Sequence, residues 1–177
     1  MKTIHVTASS EYDVKIGAGL LDTLGSEVAK ICKGSTVAII SDSNVWPLYG
    51  ENAKRTLLDA GFHTVHFVFP AGEGSKNGST YLSILNFLAE NQITRSDCVI
   101  ALGGGVVGDI TGFSAATFLR GISFFQKFGQ CLRILFLQCL AVSLQARDIS
   151  VKFKEHILPV FHAKLCPHGC VEPCNTG

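Results

Sequence analysis

Several features that would assign this chain to a specialised class of protein are missing from its sequence. Charged residues make up only 16% of the chain against 47% hydrophobic residues, a composition that excludes general disorder. The formal net charge of +1 provides no basic surplus and argues against a nucleic-acid partner. No run of about 18 uncharged apolar residues is found, which predicts no membrane span. The N-terminus lacks an apolar stretch before a small-residue cleavage site, so a cytoplasmic protein without a signal peptide is expected.

Cysteine is scarce in one part of the chain and frequent in the other. Only Cys32 and Cys98 precede residue 126, whereas the remaining five of the seven cysteines follow it. An odd number of cysteines in a chain expected to be cytoplasmic argues against a disulfide framework. The uneven distribution predicts two parts under different constraints, residues 1–126 and residues 127–177.

The alternation of strand-like and helix-like patterns predicts a doubly wound, Rossmann-like α/β domain with a parallel sheet. Residues 2–7 and 12–16 alternate apolar and polar side chains and predict an N-terminal β-hairpin. Apolar runs predict strands buried on both faces of the sheet at 36–42 and 97–105, and a further strand is predicted at 63–69. Helical spacing predicts helices over 19–32, 45–60, 78–91 and 106–119, with Gly61 as a C-terminal cap.

The predicted parallel strands end at three positions that carry polar or glycine-rich loops. These ends fall near Asp42, Pro70 and Gly103. In a doubly wound sheet, the loops after the carboxyl ends of the strands line one crevice, where ligands bind. We therefore expect the three loops to converge.

The glycine-rich turn in ALGGGVVGD (101–109) carries the strongest indication of ligand binding. Glycine lets a ligand approach the backbone closely, and free amides at a helix N-terminus favour anions such as a pyrophosphate. The spacing G-G-G-x-x-G differs from the G-x-G-x-x-G of many dinucleotide sites, so a plain tight turn is the alternative. Asp109 is expected in the first turn of the helix, where it either complements the helix dipole or contacts a ligand.

Polar residues in the other loops each have a structural alternative to ligand binding. Asp42 could accept hydrogen bonds from ribose hydroxyls, while Ser43 or Asn44 could simply cap the following helix. The loop PAGEGSK (70–76), with its glutamate and lysine, could be an ordinary solvated loop. Arg120 could bind phosphate or carboxylate through its guanidinium fork, or could be a cationic helix-terminal residue.

Together these segments resemble 3-dehydroquinate synthase. ALGGGVVGDITGFSAATFLRG (101–121) is similar to the glycine-rich segment of that family, and PAGEGSK (70–76) to its Pro-x-Gly-Glu-x-x-Lys loop. SDSNVWPLYG (41–50) is similar to the loop after its third strand, and the order agrees. The resemblance covers residues 1 to about 126, the nucleotide-binding portion of such a synthase.

The resemblance implies a lyase of the shikimate pathway. Such an enzyme converts the sugar phosphate 3-deoxy-arabino-heptulosonate 7-phosphate to 3-dehydroquinate and phosphate, with NAD oxidising and then reducing the substrate in each turnover. It also implies a homodimer, a divalent metal (zinc or cobalt) held mainly by a helical C-terminal domain, and a substrate contact at Arg120. The residues that would contact NAD by this match are Asp42, Asn44, Gly72, Glu73, Gly74, Ser75, Lys76, Gly104, Gly105, Val106, Val107, Gly108 and Asp109.

After RGISFFQ the chain departs from the pattern of that family. The family continues with Ile-Pro-Thr-Thr and an Asp-Ser-Ser-x-Gly-Gly-Lys-Thr segment, whereas this chain reads KFGQCLRILFLQCLAVSLQARD. The threonines that touch NAD, the substrate-holding lysines and aspartate, and the metal-binding helical domain are therefore expected to be missing. A truncated chain with little or no activity is predicted, and no catalytic residue or metal ligand is assigned.

The divergent tail allows three interpretations. It could be out-of-frame translation, or an apolar helix over residues 131–145 that covers a sheet edge. It could instead be a small metal module, although it lacks paired C-x-x-C spacing and Pro167 and Pro173 disfavour a regular helix. The ligands of such a module would be His162, Cys166, His168, Cys170 and Cys174.

Two other functions remain open alongside the synthase. One is a related NAD-dependent polyol dehydrogenase or cyclitol synthase, which activity on simple polyols would favour. The other is a non-catalytic NAD-binding or interaction domain, which a stable fold with a defined protein partner and no NAD affinity would support.

Overall fold

The computed structural model describes residues 2–7, 11–128 and 131–135. The strands in these ranges are β1 (Lys2–Thr7), β2 (Glu11–Ile16), β3 (Thr36–Asp42), β4 (His63–Phe69), β5 (Cys98–Leu102), β6 (Ser123–Phe128) and β7 (Cys131–Leu135). The helices are α1 (Leu24–Ala29), α2 (Trp46–Asp59), α3 (Gly78–Glu90) and α4 (Gly105–Thr117), with single 3₁₀ turns at Glu73–Ser75 and Phe118–Arg120. In the described ranges, no helix is both long and apolar enough to cross a membrane.

The strands form one mixed sheet with the order β1-β2-β7-β6-β5-β3-β4. Strands β4, β3, β5 and β6 are parallel to one another, whereas β6–β7, β7–β2 and β2–β1 are antiparallel pairs. The parallel part and the N-terminal hairpin confirm the α/β architecture that the sequence predicts. The sheet therefore has a parallel half, β4-β3-β5-β6, and an antiparallel half formed by β7 and the N-terminal hairpin.

Helices cover both faces of the parallel strands, which makes the domain doubly wound. On one face, side chains of α1 and α2 pack against alternate residues of β3 and β5, with Leu24, Leu57 and Ile39 completely buried. On the other face, α3 and α4 pack against the intervening residues, with Ile84 and Ile40 completely buried. Because β3 and β5 are buried on both faces, they appear in the sequence as continuous apolar runs.

The first helix is shorter than the sequence predicts. A turn precedes α1, where Gly19 has a φ of 72° and its carbonyl accepts a hydrogen bond from the Asp22 amide at 3.1 Å. The apolar spacing over residues 19–32 therefore includes a turn as well as a helix. The second helix ends as expected: Gly61 has a φ of 88°, which confirms its role as a C-terminal cap.

Strands β6 and β7 are not predicted from the sequence. The predicted boundary at residue 126 lies inside β6, and β7 joins β6 to the N-terminal hairpin. The predicted helix over residues 131–145 is therefore wrong for Cys131–Leu135, because both edges of this segment are hydrogen-bonded to neighbouring strands. The rest of that segment and the Cys/His cluster of the tail lie outside the described residues.

Asp97 joins the start of β5 to the start of β3. Its carboxylate accepts hydrogen bonds from the Thr36 amide at 2.9 Å, the Thr94 amide at 2.8 Å and the Thr94 hydroxyl at 2.7 Å. Burial opposes the charge of Asp97, but these hydrogen bonds outweigh it and hold the pKa below the usual 3.8. The charged form therefore stabilises the end of the sheet opposite the predicted crevice.

We expect Asp97→Asn to lower the free energy of unfolding by about 1–3 kcal/mol, because an amide nitrogen cannot accept the Thr94 hydrogen bonds. The depressed pKa means that the wild-type advantage is present above the usual pKa and disappears as the pH falls through the folded pKa. Urea unfolding at neutral and acidic pH measures both effects. Asp59→Asn, at an exposed position, is the matched control. An equal loss in both variants would contradict this role.

Candidate functional site

The loops after β3, β4 and β5 lie together at the carboxyl edge of the parallel strands. The Ser43 amide donates to the Phe69 carbonyl at 2.9 Å, and the Ser43 hydroxyl accepts from the Ala71 amide at 3.0 Å, which joins the first two loops. The Ser41 hydroxyl donates to the Leu102 carbonyl at 2.7 Å, which joins the ends of β3 and β5. The expected convergence is therefore observed.

The glycine-rich turn leads from β5 directly into α4. The helix begins at Gly105, with Gly104 as the N-terminal cap and no side chain capping the first amides. The amides of the first turn have no acceptor within the helix, and the helix dipole adds positive potential at the same point. A Cβ atom at Gly105 would meet nothing within 4 Å. Open space above free amides is the arrangement that an anionic ligand needs.

Asp109 lies just past the first turn of α4, whereas the sequence predicts it within that turn. It is the fifth residue of α4, and the first turn contains no acidic residue, because the helix begins at Gly105, one residue earlier than predicted. Its Oδ2 accepts a hydrogen bond from Lys76 Nζ at 2.6 Å. The Asp109 carboxylate therefore links α4 to the loop after β4 and does not compensate the helix dipole.

The Lys76–Asp109 ion pair is largely shielded from solvent. The Lys76 side chain is 15% exposed and the Asp109 side chain 16%. Burial disfavours the Lys76 ammonium, but the hydrogen bond and charge of Asp109, helped by Glu73 at 3.7 Å, outweigh it and raise the Lys76 pKa above the usual 10.5. The lysine therefore carries its charge in the crevice at neutral pH.

The loop PAGEGSK depends on a glycine conformation and on local hydrogen bonds. Gly72 has a φ of 113°, which other residues rarely adopt, although a Cβ atom there would meet nothing within 4 Å. The Ser75 hydroxyl donates to the Pro70 carbonyl at 2.5 Å, and the Asn77 amide group donates to the Gly74 carbonyl at 2.6 Å. Glu73 remains 70% exposed. The loop is thus held in shape while its glutamate faces solvent.

The expected capping of α2 by Ser43 or Asn44 is wrong, because the N-cap residue is Val45 and no side chain caps the helix. Asp42 Oδ1 accepts hydrogen bonds from the amides of Asn44 and Val45, both at 2.9 Å. Asn44 itself is exposed. Asp42 therefore positions the start of α2, and any contact from Asp42 or Asn44 to a ligand stays a prediction.

The predicted residues in the first turns of α4 differ in what they can offer a ligand. The Val107 side chain is completely buried, and a Cβ atom on Gly103 would lie 2.6 Å from its Cγ2. Val106 is partly buried against the same core. Both valines can therefore contribute backbone amides to the crevice, whereas their side chains support the turn from behind.

Arg120 lies far from the glycine turn in this chain. It follows the carboxyl end of α4, a helix of 13 residues, which puts it about 20 Å from the N-terminus of that helix. Leu119 and Arg120 both have positive φ, 50° and 67°, ahead of Gly121 at 106°. Arg120 is exposed, and its role as a substrate contact stays a prediction.

Gln126 is a residue near the crevice that was not predicted from the sequence. It lies in β6, is only 6% exposed, and its side chain reaches Gly108 of α4. The available signal was a polar residue directly after the apolar pair Phe124 and Phe125. In the described ranges, no group of three or more His, Cys, Asp or Glu side chains is arranged to hold a metal ion.

The sequence matches a known family over part of its length. The family model described as 3-dehydroquinate synthase N-terminal matches residues 66–132. A 3-dehydroquinate synthase of Clostridium acetobutylicum is 43% identical over 127 residues, and one of Streptococcus suis is 48% identical over 126 residues. Both matches cover 71% of this chain and 36% of the relative. The chain thus spans about a third of the length of these synthases.

Two solved structures of synthases have a similar fold. A 2-deoxy-scyllo-inosose synthase complexed with carbaglucose-6-phosphate, NAD+ and Co2+ has a TM-score of 0.64 at 22% identity, covering 71% of this chain and 34% of that one. A 2-epi-5-epi-valiolone synthase of Streptomyces hygroscopicus with NAD+ and Zn2+ bound has a TM-score of 0.56 at 26% identity, covering 70% and 34%. The chain therefore shares the fold of about a third of each of these synthases.

Proposed function

We propose that this chain, which is similar to the N-terminal part of 3-dehydroquinate synthases, binds NAD in the crevice formed by the loops after β3, β4 and β5. The observation that carries the proposal is the free N-terminus of α4, which faces open space at Gly105 beside the charged Lys76. Free amides and an ammonium group fit a pyrophosphate. The similarity to named synthases supports a dinucleotide over other anions.

Each loop of the crevice would make a different contribution to binding. The backbone amides at the start of α4 would receive the pyrophosphate, and Lys76 would provide a positive charge nearby. Asp109 orients that lysine, since it accepts the 2.6 Å hydrogen bond from Nζ. The exposed Glu73 and Asn44 would contact the ribose or adenine groups from the two adjacent loops.

For the whole protein we propose the conversion of 3-deoxy-arabino-heptulosonate 7-phosphate to 3-dehydroquinate and phosphate, in the shikimate pathway. When bound, NAD supplies reversible acceptance of hydride from a substrate alcohol. The described residues do not fit the divalent metal of the family, because they contain no suitable ligand group. The contribution assigned to residues 2–7, 11–128 and 131–135 is therefore cofactor binding.

A Gly105→Ala variant separates binding from folding. The added methyl group would meet no protein atom, so stability should be unchanged or raised by up to about 1 kcal/mol, the difference in helix propensity. The methyl group would occupy the space where the pyrophosphate approaches, so NAD affinity should fall about tenfold or more. Calorimetric titration of the full chain with NAD, together with thermal unfolding, measures both quantities.

The result that would reject the proposal is a folded wild-type chain with no measurable NAD affinity. Phosphate release from the heptulosonate phosphate, assayed with added zinc, tests the wider reaction. We expect binding without turnover above background, because the chain departs from the family pattern after residue 126.

The cyclitol synthases are the second candidate, but they are less similar in sequence than the dehydroquinate synthases. Their own sugar-phosphate substrates serve as the comparison in the same assay.

A further inference from the structure

Gln126 is a buried polar residue whose presence the fold alone does not explain. Its side chain is 6% exposed, and its Oε1 atom has no hydrogen-bond partner in the described part of the chain. Its neighbours in β6, Phe124 and Phe125, are completely buried and apolar. A buried carbonyl without a partner destabilises the folded state, so an apolar residue would suit this strand better. Departures of this kind concentrate at functional positions.

The end of β6 holds the glycine-rich turn at two points. The Lys127 carbonyl accepts a hydrogen bond from the Gly103 amide at 3.1 Å. One residue earlier, the Gln126 carboxamide packs against the backbone of Gly108. A Cβ atom at Gly108 would overlap Gln126 Nε2 and would lie 2.9 Å from Cδ. The side chain of Gln126 therefore fills the space next to Gly108, between β6 and the first turns of α4.

We propose that Gln126 is a positioning residue for the amides at the start of α4, and that it acts through its contact with Gly108. This inference rests on the proposed function, since the amides it positions are those assigned to the pyrophosphate. The length of the glutamine side chain sets the separation between β6 and the N-terminal turns of α4. The absence of a side chain at Gly108 lets the helix approach the carboxamide closely.

Replacing Gln126 with leucine distinguishes positioning from ordinary packing. The variant removes the unpaired carbonyl, so its thermal midpoint should be unchanged or raised by up to about 5 °C. NAD affinity should nevertheless fall about five- to tenfold, because the shape that supports the helix start is lost. Gln126→Met, which keeps the length of the side chain, should retain more of the affinity. The readouts are calorimetric titration with NAD and thermal unfolding of the full chain.

Thr64→Val is the matched control for the removal of an unpaired polar atom. Thr64 Oγ1 is also buried without a partner in the described part of the chain, but it lies in β4. This variant should keep the wild-type NAD affinity. A Gln126→Leu variant with unchanged affinity, or one whose stability and affinity fall together, would overturn the inference.

A double-variant comparison tests the contact itself. Gly108→Ala should weaken NAD binding at least about fivefold in the wild-type background, because the methyl group displaces the carboxamide. In a Gln126→Ala background, which opens that space, the same change should cost less than about twofold. Equal losses in both backgrounds would overturn the coupling. A wild-type chain that does not bind NAD overturns the proposed function as well, whereas normal wild-type binding with uncoupled variants overturns this inference alone.

Discussion

Replacing Lys76 with methionine is expected to weaken NAD binding by about ten- to a hundredfold. The change removes the positive charge beside the amides of α4 while it keeps most of the aliphatic stem. Hydrogen bonds to charged groups contribute about 1.5–3 kcal/mol, which corresponds to this range of affinity. The Asp109 carboxylate, only 16% exposed, would also lose its partner and repel the phosphates of the ligand. Calorimetric titration with NAD at fixed ionic strength measures the effect.

The exposed Lys33 provides the control, since Lys33→Met removes the same charge away from the crevice. Equal losses of affinity in the two variants would show that only the overall charge matters. Wild-type affinity in Lys76→Met would show that the lysine takes no part in NAD binding.

Because Asp109 raises the Lys76 pKa, the stabilisation from the pair is present below the usual pKa of 10.5 and is lost as the pH rises through the folded pKa. Affinity should accordingly not depend on this lysine's titration near neutral pH.

Gly25→Ala is expected to cause the largest loss of stability, about 3 kcal/mol or more. A Cβ atom at this buried helical glycine would overlap the Thr56 carbonyl oxygen and would lie 2.8 Å from its carbonyl carbon. Both atoms belong to the backbone of α2, so the clash is relieved only by separating α1 from α2. Chemical denaturation of the variant and the wild type at neutral pH measures the difference.

Gly78→Ala is the matched control, because this glycine also lies in a helix but has nothing within 4 Å of its Cβ position. We expect it to be neutral or to stabilise the chain by up to about 1 kcal/mol through helix propensity. A Gly25→Ala variant as stable as Gly78→Ala would show that α1 and α2 can separate without cost.

The N-terminal two-thirds of the chain could be predicted because its patterns are strong and local. The strands β3 and β5 are continuous apolar runs, and α2 and α3 have an apolar stripe bounded by turn residues. Strand β7 was missed for the opposite reason. Strand β7 is a short apolar segment whose spacing suits a helix as well as a strand, and only its pairing with β2 and β6 decides between them.

Among the site residues, the sequence by itself determined which segments carry the glycines and charges, and that they follow the carboxyl ends of parallel strands. Only the tertiary structure decided which side chains meet: Lys76 with Asp109 across two loops, and Gln126 with Gly108 across a strand and a helix. The reason is physical. Local patterns report which face of an element is apolar, whereas contacts between distant residues depend on how closely the packed elements approach one another.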